Sequence, residues 1–533
     1  MKLHRTVTAA VGESGTLHRV RIGSQALLGW LPMVALGSTA TDRADLSASV
    51  NRADRHALAY HRALGLAGSS VIVLGGLLGG VLPVGAATVV DLRERSATVM
   101  SVFVIYAGLA MLLIAWWRIG ARLGRRDVFS RRALTITGAW WAAPFAVTMP
   151  IFSGDVYSYL AQGAMTLSGL DPYRVGPAAL GGPLAANVPE IWQNTEAPYG
   201  PVFLGFAGSV IKVTGNGVWG GIVGMRVLAI VGVLLLLWSV PRLAEFCGVR
   251  PASALWLGVL NPLVLLHLVG DAHNDALMLG LMTFGLTLAL QRRPIVGTTI
   301  ITLAVLVKAP AAAALGFVIP IWADQLDGPA RWIRAAQRTI AVAAVTAITV
   351  TAVSGTGFGW VRTLDTPTHA RTWMSITTDL GYLSGTVAHW ADGESVDEVR
   401  RMFWLAGLIV AGVTAMVLVA YSRRMGPVLA LGVCLTVLVV AGPVVHPWYL
   451  LWAVVPLAAA ANSVLIRRIV AVGSVALVLL VLPGGVNPGV AALVGAVLGA
   501  GSVLAVSVLL NRWTGHRPGG PLDPLVPEQT AAG

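Results

Sequence analysis

The sequence is poor in charge and nearly free of cysteine. Of its 533 residues, only 11% are charged whereas 56% are hydrophobic. A soluble globular protein cannot hide so much apolar surface behind so few charges, so that class is excluded. Cys247 lies in a predicted cytoplasmic loop and Cys434 lies inside a predicted span. Neither a disulfide nor a metal-binding cysteine cluster is therefore indicated.

Motifs for binding a nucleotide are also missing. The sequence has no Walker pattern and no GxGxxG that follows a strand, so a cytoplasmic nucleotide donor is not indicated. The net charge of +13 could suggest nucleic acid. The arginines, however, lie in short loops between apolar runs, which is typical of membrane anchoring. We therefore expect the membrane, and no nucleic acid, as a partner.

Repeated apolar runs predict the fold. Each run of about 17 to 25 residues is long enough to cross a bilayer as one helix. We predict an all-α polytopic membrane protein with about fourteen transmembrane helices. The arginine-rich stretch RIGARLGRRDVFSRR, residues 118–132, marks the cytoplasmic side. Counting spans from this stretch places both chain ends in the cytoplasm.

The spans set the predicted domain organisation. Residues 1–60 form a cytoplasmic or interfacial segment, residues 61–511 form the transmembrane domain, and residues 512–533 form a disordered cytoplasmic tail rich in Pro and Gly. Residues 151–216 and 355–401 are the two long outer loops. Residues 199–214 are predicted to form a helix that lies on the outer surface. The fifth span is predicted to run unbroken over residues 252–269.

The first long loop interleaves carboxylates with aromatic rings. Rings stack on sugar faces and carboxylates accept hydrogen bonds from hydroxyls, so we predict a sugar site; the alternative is a solvated connector with interfacial aromatics. Asp155 follows a span directly and is a candidate general base; the alternative is that it is the N-cap of a helix. Asp171 is interpreted as a turn residue. The aromatic candidates for substrate binding are Tyr157, Tyr159, Tyr173 and Tyr199.

A second polar group is the outer turn GDAHNDA, residues 270–276. Its four polar residues, Asp271, His273, Asn274 and Asp275, are candidates for binding sugar hydroxyls. The alternative is that Asn274 or Asp275 caps the next helix. The spacing His273-x-Asp275 is too sparse to predict a metal, so none is expected.

Several basic residues are candidates for binding a phosphate. Lys308 ends an apolar run, where it can hold an anionic phosphate or snorkel to lipid headgroups. His446 can donate to a phosphate or turn into solvent. Trp448 is a candidate for the sugar site, although Trp448 and Tyr449 are also typical of interface anchors. Further phosphate candidates are Arg174, Arg226 and Arg371.

Several motifs in combination resemble a known family. SGDVYSYLAQ, GLDPYRVGP and APYGPVFL are followed by VGDAHNDALM, LVKAP, RTWMS and HPWYLLWAVVPLAA. Together they resemble the actinobacterial polyprenol-phosphomannose-dependent α-1,6-mannosyltransferases, which are integral-membrane glycosyltransferases of the GT-C class. The resemblance covers roughly residues 62–460.

The resemblance implies a function and a mechanism. It implies transfer of mannose from a polyprenyl-phosphate donor to the α-1,6-mannan backbone of lipomannan and lipoarabinomannan, at the outer face of the plasma membrane. It assigns the catalytic role to Asp155, which would remove a proton from the acceptor in an inverting displacement. Lys308 and His446 would stabilise the departing phosphate. No cofactor is implied, and the single carboxylate at Asp155 gives no basis for a metal requirement.

Two other functions remain open from the sequence alone. The donor can be another polyprenyl-phosphate sugar, such as arabinose. A transporter or flippase of a lipid-linked sugar is the alternative from a different class. Transporters often show inverted repeats and broken helices at the midplane. We find no matching halves in this sequence, and the polar groups gather at one predicted face.

Overall fold

The computed structural model describes residues 52–86, 95–125, 129–369, 372, 374–393, 395–484, 486 and 488–513. Within these ranges the chain is helical and none of the residues forms a strand. All of them fall in one compact unit. The predicted segment 1–60 lies outside the described residues as far as residue 51, and the predicted tail lies outside them from residue 514.

Eleven α-helices lie within the described ranges up to residue 305. They are α1 (Arg52–Gly79), α2 (Arg95–Arg125), α3 (Arg131–Ala146), α4 (Asp155–Leu167), α5 (Gly182–Ala186), α6 (Glu190–Gln193), α7 (Pro201–Thr214), α8 (Val218–Phe246), α9 (Pro251–Gly258), α10 (Asp275–Leu290) and α11 (Pro294–Val305).

The remaining helices follow the same pattern of apolar segments joined by short turns. They are α12 (Ala312–Ala323), α13 (Arg331–Ser354), α14 (Gly359–Arg362), α15 (Ile376–Asp392), α16 (Val396–Met425), α17 (Pro427–Val440), α18 (Leu450–Ala460), α19 (Val464–Leu480) and α20 (Val490–Trp513). Ser130, Ser375 and Ser463 cap α3, α15 and α19, because each side chain accepts a hydrogen bond from a backbone N–H in the first turn.

Six of the described helices, α1, α2, α8, α13, α16 and α20, are long and apolar enough to cross a membrane. Shorter apolar helices lie between them. The chain is therefore an all-α polytopic membrane protein, as the sequence predicts. The predicted number of about fourteen spans is not confirmed.

The fifth predicted span is not one helix, which corrects the sequence prediction. α9 ends at Gly258, and a turn of π-helix follows at Val264–Gly270. Pro262 lies at the break, where it lacks a backbone N–H for the helical ladder. Asn261 stabilises the break, since its side chain accepts from the Leu263 N–H and donates to Ser474.

The two long polar segments are largely helical. The first contains α4 to α7, and the predicted surface helix corresponds to α7. The second contains α14, α15 and the start of α16, so the predicted loop 355–401 is mostly helix. Its α15 has 17 residues and ends at Asp392; the next residue, Gly393, has a φ of 73°, which suits glycine after a helix C-terminus.

The core is built by helix pairs that approach closely. α1 packs on α2, α2 on α20, and α8 on α10. Glycines permit these approaches: a Cβ at Gly280 would lie 2.5 Å from the carbonyl oxygen of Gly232. α4 packs on α7 and α8, which fixes the start of α4 beside the turn that precedes α10.

Candidate functional site

Asp155 is the first residue of α4, and its carboxylate faces a histidine. The N-cap position belongs to Gly154, so the interpretation of Asp155 as the cap is wrong. Glycine is required there because a Cβ would lie 2.8 Å from the Pro189 ring. Oδ2 of Asp155 lies 3.6 Å from Nδ1 of His273, and the carboxylate side chain remains 19% exposed. Asp155 is thus open to a ligand on one side and held by protein on the other.

His273 is fully buried among aromatic rings. Its Nδ1 lies 3.2 Å from the hydroxyl of Tyr159. Trp448 stacks on the His273 ring at 4.0 Å, and His446 stacks on Trp448 at 4.5 Å. Trp448 is only 7% exposed. The interpretation of Trp448 as an interface anchor is therefore wrong, because this indole is a buried part of the site.

Lys308 and Asp275 form an ion pair at the same site. Nζ of Lys308 lies 2.7 Å from Oδ2 of the fully buried Asp275, and the indole N–H of Trp452 donates to Oδ1 at 2.6 Å. The ammonium also lies 5.0 Å from the Tyr449 ring centroid and 6.0 Å from that of Tyr199. Snorkelling to headgroups is excluded by this cage, in which a carboxylate and aromatic faces hold the cation.

The Asp155–His273 contact and the Lys308–Asp275 ion pair are joined by packed side chains. The Tyr199 ring beside Lys308 packs edge-to-face on Tyr159 at 5.3 Å, and Tyr159 contacts His273. Asp155 and Lys308 therefore belong to one cluster of side chains. The sequence prediction that both residues share one face of the molecule is consistent with this geometry.

Burial sets the protonation of these groups. Desolvation raises the pKa of the Asp155 carboxyl to about 6, and the Lys308 ammonium opposes that shift. Burial lowers the pKa of His446 to about 3 and holds that of His273 well below its ordinary value, with nearby cations adding to both effects. The two imidazoles are thus neutral at neutral pH, whereas Asp155 is mostly ionised.

Several buried polar atoms at the site lack a partner among the described residues. They are both amide atoms of Asn274 and Nε2 of His273. Asn274 is 3% exposed and precedes α10, but its side chain makes no capping hydrogen bond. Asn274 thus occupies the N-cap position, as the alternative predicts, but without a side-chain bond to the helix, and Asp275 is the first helical residue. Buried polar groups are normally paired, so these atoms are available to a ligand rich in hydroxyls.

Two of the tyrosine candidates brace the backbone around the site. The hydroxyl of Tyr157 donates to the Val81 carbonyl at 2.7 Å, and that of Tyr173 donates to the Tyr199 carbonyl at 2.9 Å. Asp171 accepts from the Tyr173 N–H, which confirms it as a turn residue.

Two of the three arginine candidates, Arg226 and Arg174, bind other groups than those around Lys308. Arg226 is buried and donates to the carbonyls of Val269 and Gly270, where the π-turn ends, so it holds backbone. Arg174 is exposed and pairs with Asp171 at 3.3 Å. Arg371 lies outside the described residues.

Sequence reasoning missed two residues that build the site. Trp452 binds Asp275, and His267 lies 3.1 Å from Asp271. The other oxygen of Asp271 accepts from the backbone N–H groups of Ile151 and Phe152. The i, i+4 spacing of His267 and Asp271 was the available signal, since both side chains then lie on one helical face.

Comparisons with known proteins identify the family. The family sequence model described as the alpha-(1->6)-mannopyranosyltransferase N-terminal domain matches residues 62–324. The family sequence model of the MptB C-terminal domain matches residues 377–511. No solved structure matches.

Three relatives cover most of the chain. An alpha-(1->6)-mannopyranosyltransferase of Mycobacterium tuberculosis is 34% identical, over 80% of this chain and 82% of its own length. Alpha-(1->6)-mannopyranosyltransferase A of the same organism is 36% identical, over 76% of this chain and 81% of its own length. Alpha-(1->6)-mannopyranosyltransferase B of Corynebacterium glutamicum is 32% identical, over 90% of this chain and 88% of its own length. The chain therefore belongs to the actinobacterial α-(1→6)-mannopyranosyltransferase family.

Proposed function

We propose that this protein transfers mannose from polyprenyl-phosphate-mannose to a growing α-1,6-mannan, the backbone of lipomannan and lipoarabinomannan, at the outer face of the plasma membrane. The observation that carries the proposal is the junction of Asp155 with His273 and of Lys308 with Asp275 in one cluster. A base and a caged cation at one site suit a displacement in which a hydroxyl attacks and a phosphate departs.

The base in this reaction is Asp155. Its carboxylate takes the proton from the 6-hydroxyl of the acceptor mannose while that oxygen attacks the anomeric carbon. The bond from the anomeric carbon to the phosphate oxygen breaks, and its electron pair leaves with the polyprenyl phosphate. A single displacement inverts the configuration, so a β-linked donor yields the α-linked product. No cofactor takes part in this balance.

The cation in this reaction is Lys308. An ammonium has three N–H donors, and Asp275 occupies one of them. The other two would donate to the phosphate of the leaving group, where preorganised charge stabilises the transition state. His446 lies in the same stack and is neutral at neutral pH, so it would contribute a hydrogen bond rather than a charge.

An apolar cavity that includes the residue after Val81 suits the lipid part of such a donor. It has a volume of about 390 Å³ and is lined by residues that include Leu77, Leu82, Met149 and Trp219. One lining residue, Leu82, follows Val81 in the chain, and the Val81 carbonyl accepts a hydrogen bond from Tyr157, two residues after Asp155. We propose that the first isoprene units of the donor lie in this cavity.

Transfer in a purified system tests the proposal. The protein in detergent is mixed with synthetic polyprenyl phosphomannose and an α-1,6-mannoside, and the linkage of the product is determined. We expect Asp155→Asn to lower the rate by about 10² to 10⁴-fold while donor binding is retained. Asp171→Asn is the matched control, because Asp171 lies in the same segment and contacts the Tyr173 N–H and Arg174 rather than the site.

Two outcomes would contradict the proposal. Full turnover by both Asp155→Asn and Asp155→Ala would remove Asp155 from the base role. Movement of the donor across vesicles without a new glycosidic bond would identify a transporter. An arabinosyl donor that outcompetes the mannosyl donor would change the sugar and leave the site as described.

A further inference from the structure

Three metal-ligating side chains meet beside Asp155. Each of His267, Asp271 and His273 offers one potential ligand atom, and these three atoms lie within 4.8 Å of one another. All three side chains are fully buried. His267 comes from the π-turn, Asp271 follows it directly, and His273 belongs to the turn before α10. Two imidazoles and one carboxylate form the ligand set of many zinc sites that keep a position open.

Each imidazole is held through one nitrogen and free at the other. Nδ1 of His267 lies 3.1 Å from Asp271, and Nδ1 of His273 lies 3.2 Å from the Tyr159 hydroxyl. Nε2 of both rings is buried and has no partner in the described part of the chain. For His273 the Tyr159 hydroxyl would be the outer partner that orients a metal-binding ring. For His267 the partner is Asp271, itself a proposed ligand, so an ion between the two side chains would replace their hydrogen bond.

The carboxylate is oriented in the same way. Oδ1 of Asp271 accepts hydrogen bonds from the backbone N–H groups of Ile151 and Phe152, at 2.9 and 3.0 Å. Oδ2 is left for His267 or for an ion. Arg226 fixes the backbone just before Asp271 through the carbonyls of Val269 and Gly270.

Charge and size also suit a cation. The cluster holds three carboxylates, those of Asp155, Asp271 and Asp275, against the cations Lys308 and Arg226. One negative charge is thus unbalanced within this group of five side chains. Two ligand atoms of a tetrahedral zinc ion lie about 3.3 Å apart, so the three groups, whose ligand atoms lie within 4.8 Å of one another, would close by up to about 1.5 Å on binding.

We propose that His267, Asp271 and His273 bind one divalent transition-metal ion of the zinc class. The sequence predicts no metal because His273 and Asp275 alone are too sparse a pair, whereas folding joins His273 to His267 and Asp271 instead. The ion would lie on the protein side of Asp155 and tie the π-turn to the turn before α10. This proposal is independent of which sugar or lipid the protein uses.

Metal binding is measured on the full-length protein, purified without a polyhistidine tag, stripped with a chelator and dialysed against Zn²⁺. We expect about one zinc per chain by elemental analysis, and a visible absorption band when Co²⁺ replaces Zn²⁺. His267→Ala and His273→Ala should lose at least about tenfold in affinity. His446→Ala is the matched control, because His446 belongs to the same aromatic stack but not to the ligand set.

Two further measurements keep the test decisive if an alanine variant does not fold. Asp271→Asn retains an oxygen for the Ile151 and Phe152 amides but loses the charge, so it should fold and bind zinc weakly. The wild-type protein should melt at a higher temperature with Zn²⁺ than after chelation. A wild-type protein that holds no zinc and shows no thermal shift would overturn the proposal. Equal zinc binding by wild type, the ligand variants and His446→Ala would also overturn it.

Discussion

Asp155 combines an accessible edge with a buried flank, and this setting tunes its acidity. Burial raises the pKa of the carboxyl to about 6, and Lys308 keeps it from rising further. A base is most effective when its pKa lies just below the working pH, because the carboxylate is then ionised and still basic. Transfer should therefore depend on pH through this one group.

The pH profile of transfer is the first prediction at this scale. Only the ionised carboxylate can accept a proton, so the rate should rise from pH about 5 to about 7 and level off above that. Asp171→Asn should show the same profile, since Asp171 lies outside the site. A rate that stays constant across this range would mean that Asp155 does not titrate during transfer.

Asn274 gives a second prediction at the residue scale. Both of its amide atoms are buried without a partner among the described residues, which is costly in the free protein. Asn274→Leu removes those polar atoms at similar volume, so thermal stability should stay the same or increase by up to about 2 kcal/mol. Transfer should fall at least about tenfold if the amide binds a sugar hydroxyl. A large loss of stability would instead assign Asn274 a structural role.

Individual residues were predictable where their type is rare in an apolar sequence. Asp155, Lys308 and the turn from His273 to Asp275 stand out as polar groups at the ends of apolar runs. His267 and Trp452 did not stand out, because a single ring within an apolar run has the composition of core. Their roles depend on Asp271 and Asp275, which only the folded chain brings to them.

At the scale of elements, the contact between α8 and α10 positions the start of α10, which carries Asp275. A Cβ at Gly232 would lie 2.3 Å from the backbone of Ala276, which follows Asp275 at the start of α10. The close approach of these helices therefore helps to position the start of α10, where Asp275 lies.

Gly232→Ala tests this contact. The methyl group should push the start of α10 away, lower the stability by about 1 to 3 kcal/mol and reduce transfer, because Asp275 would then hold Lys308 less well. Gly412→Ala is the matched control, since a methyl group at Gly412 in α16 would meet no atom within 4 Å. Thermal melting of both purified variants measures the difference. Equal melting temperatures would show that the two helices can separate without cost.

The positions of helices followed from apolar runs, but their breaks did not. The runs predicted α8, α10, α13 and α16 well, because an apolar segment must close its own hydrogen bonds in lipid. The break between α9 and the π-turn depends on Asn261, which binds Ser474 from a distant part of the chain. Hydrophobic periodicity and composition cannot predict a partner that is so distant in the sequence.

At the scale of the whole molecule, the arginine distribution predicts orientation. Ala179 lies in the segment that contains Asp155 and is exposed, and Ala330 is exposed beside the basic start of α13. On a background with Cys247→Ser and Cys434→Ala, Ala179→Cys should react with an impermeant maleimide on intact cells. Ala330→Cys should react only after permeabilisation, because basic loops stay in the cytoplasm. The reverse pattern would place the site in the cytoplasm and exclude a donor at the outer face.

The pairing of Lys308 with Asp275 also bears on how the chain is inserted during synthesis. Asp275 begins α10 and Lys308 follows α11, so the two charges flank one helical hairpin. The carboxylate and the ammonium can therefore neutralise each other within this hairpin, without a partner from any later helix. A nascent chain that lacked either partner would present the translocon with a lone charge, and its biogenesis, rather than its chemistry, would fail first.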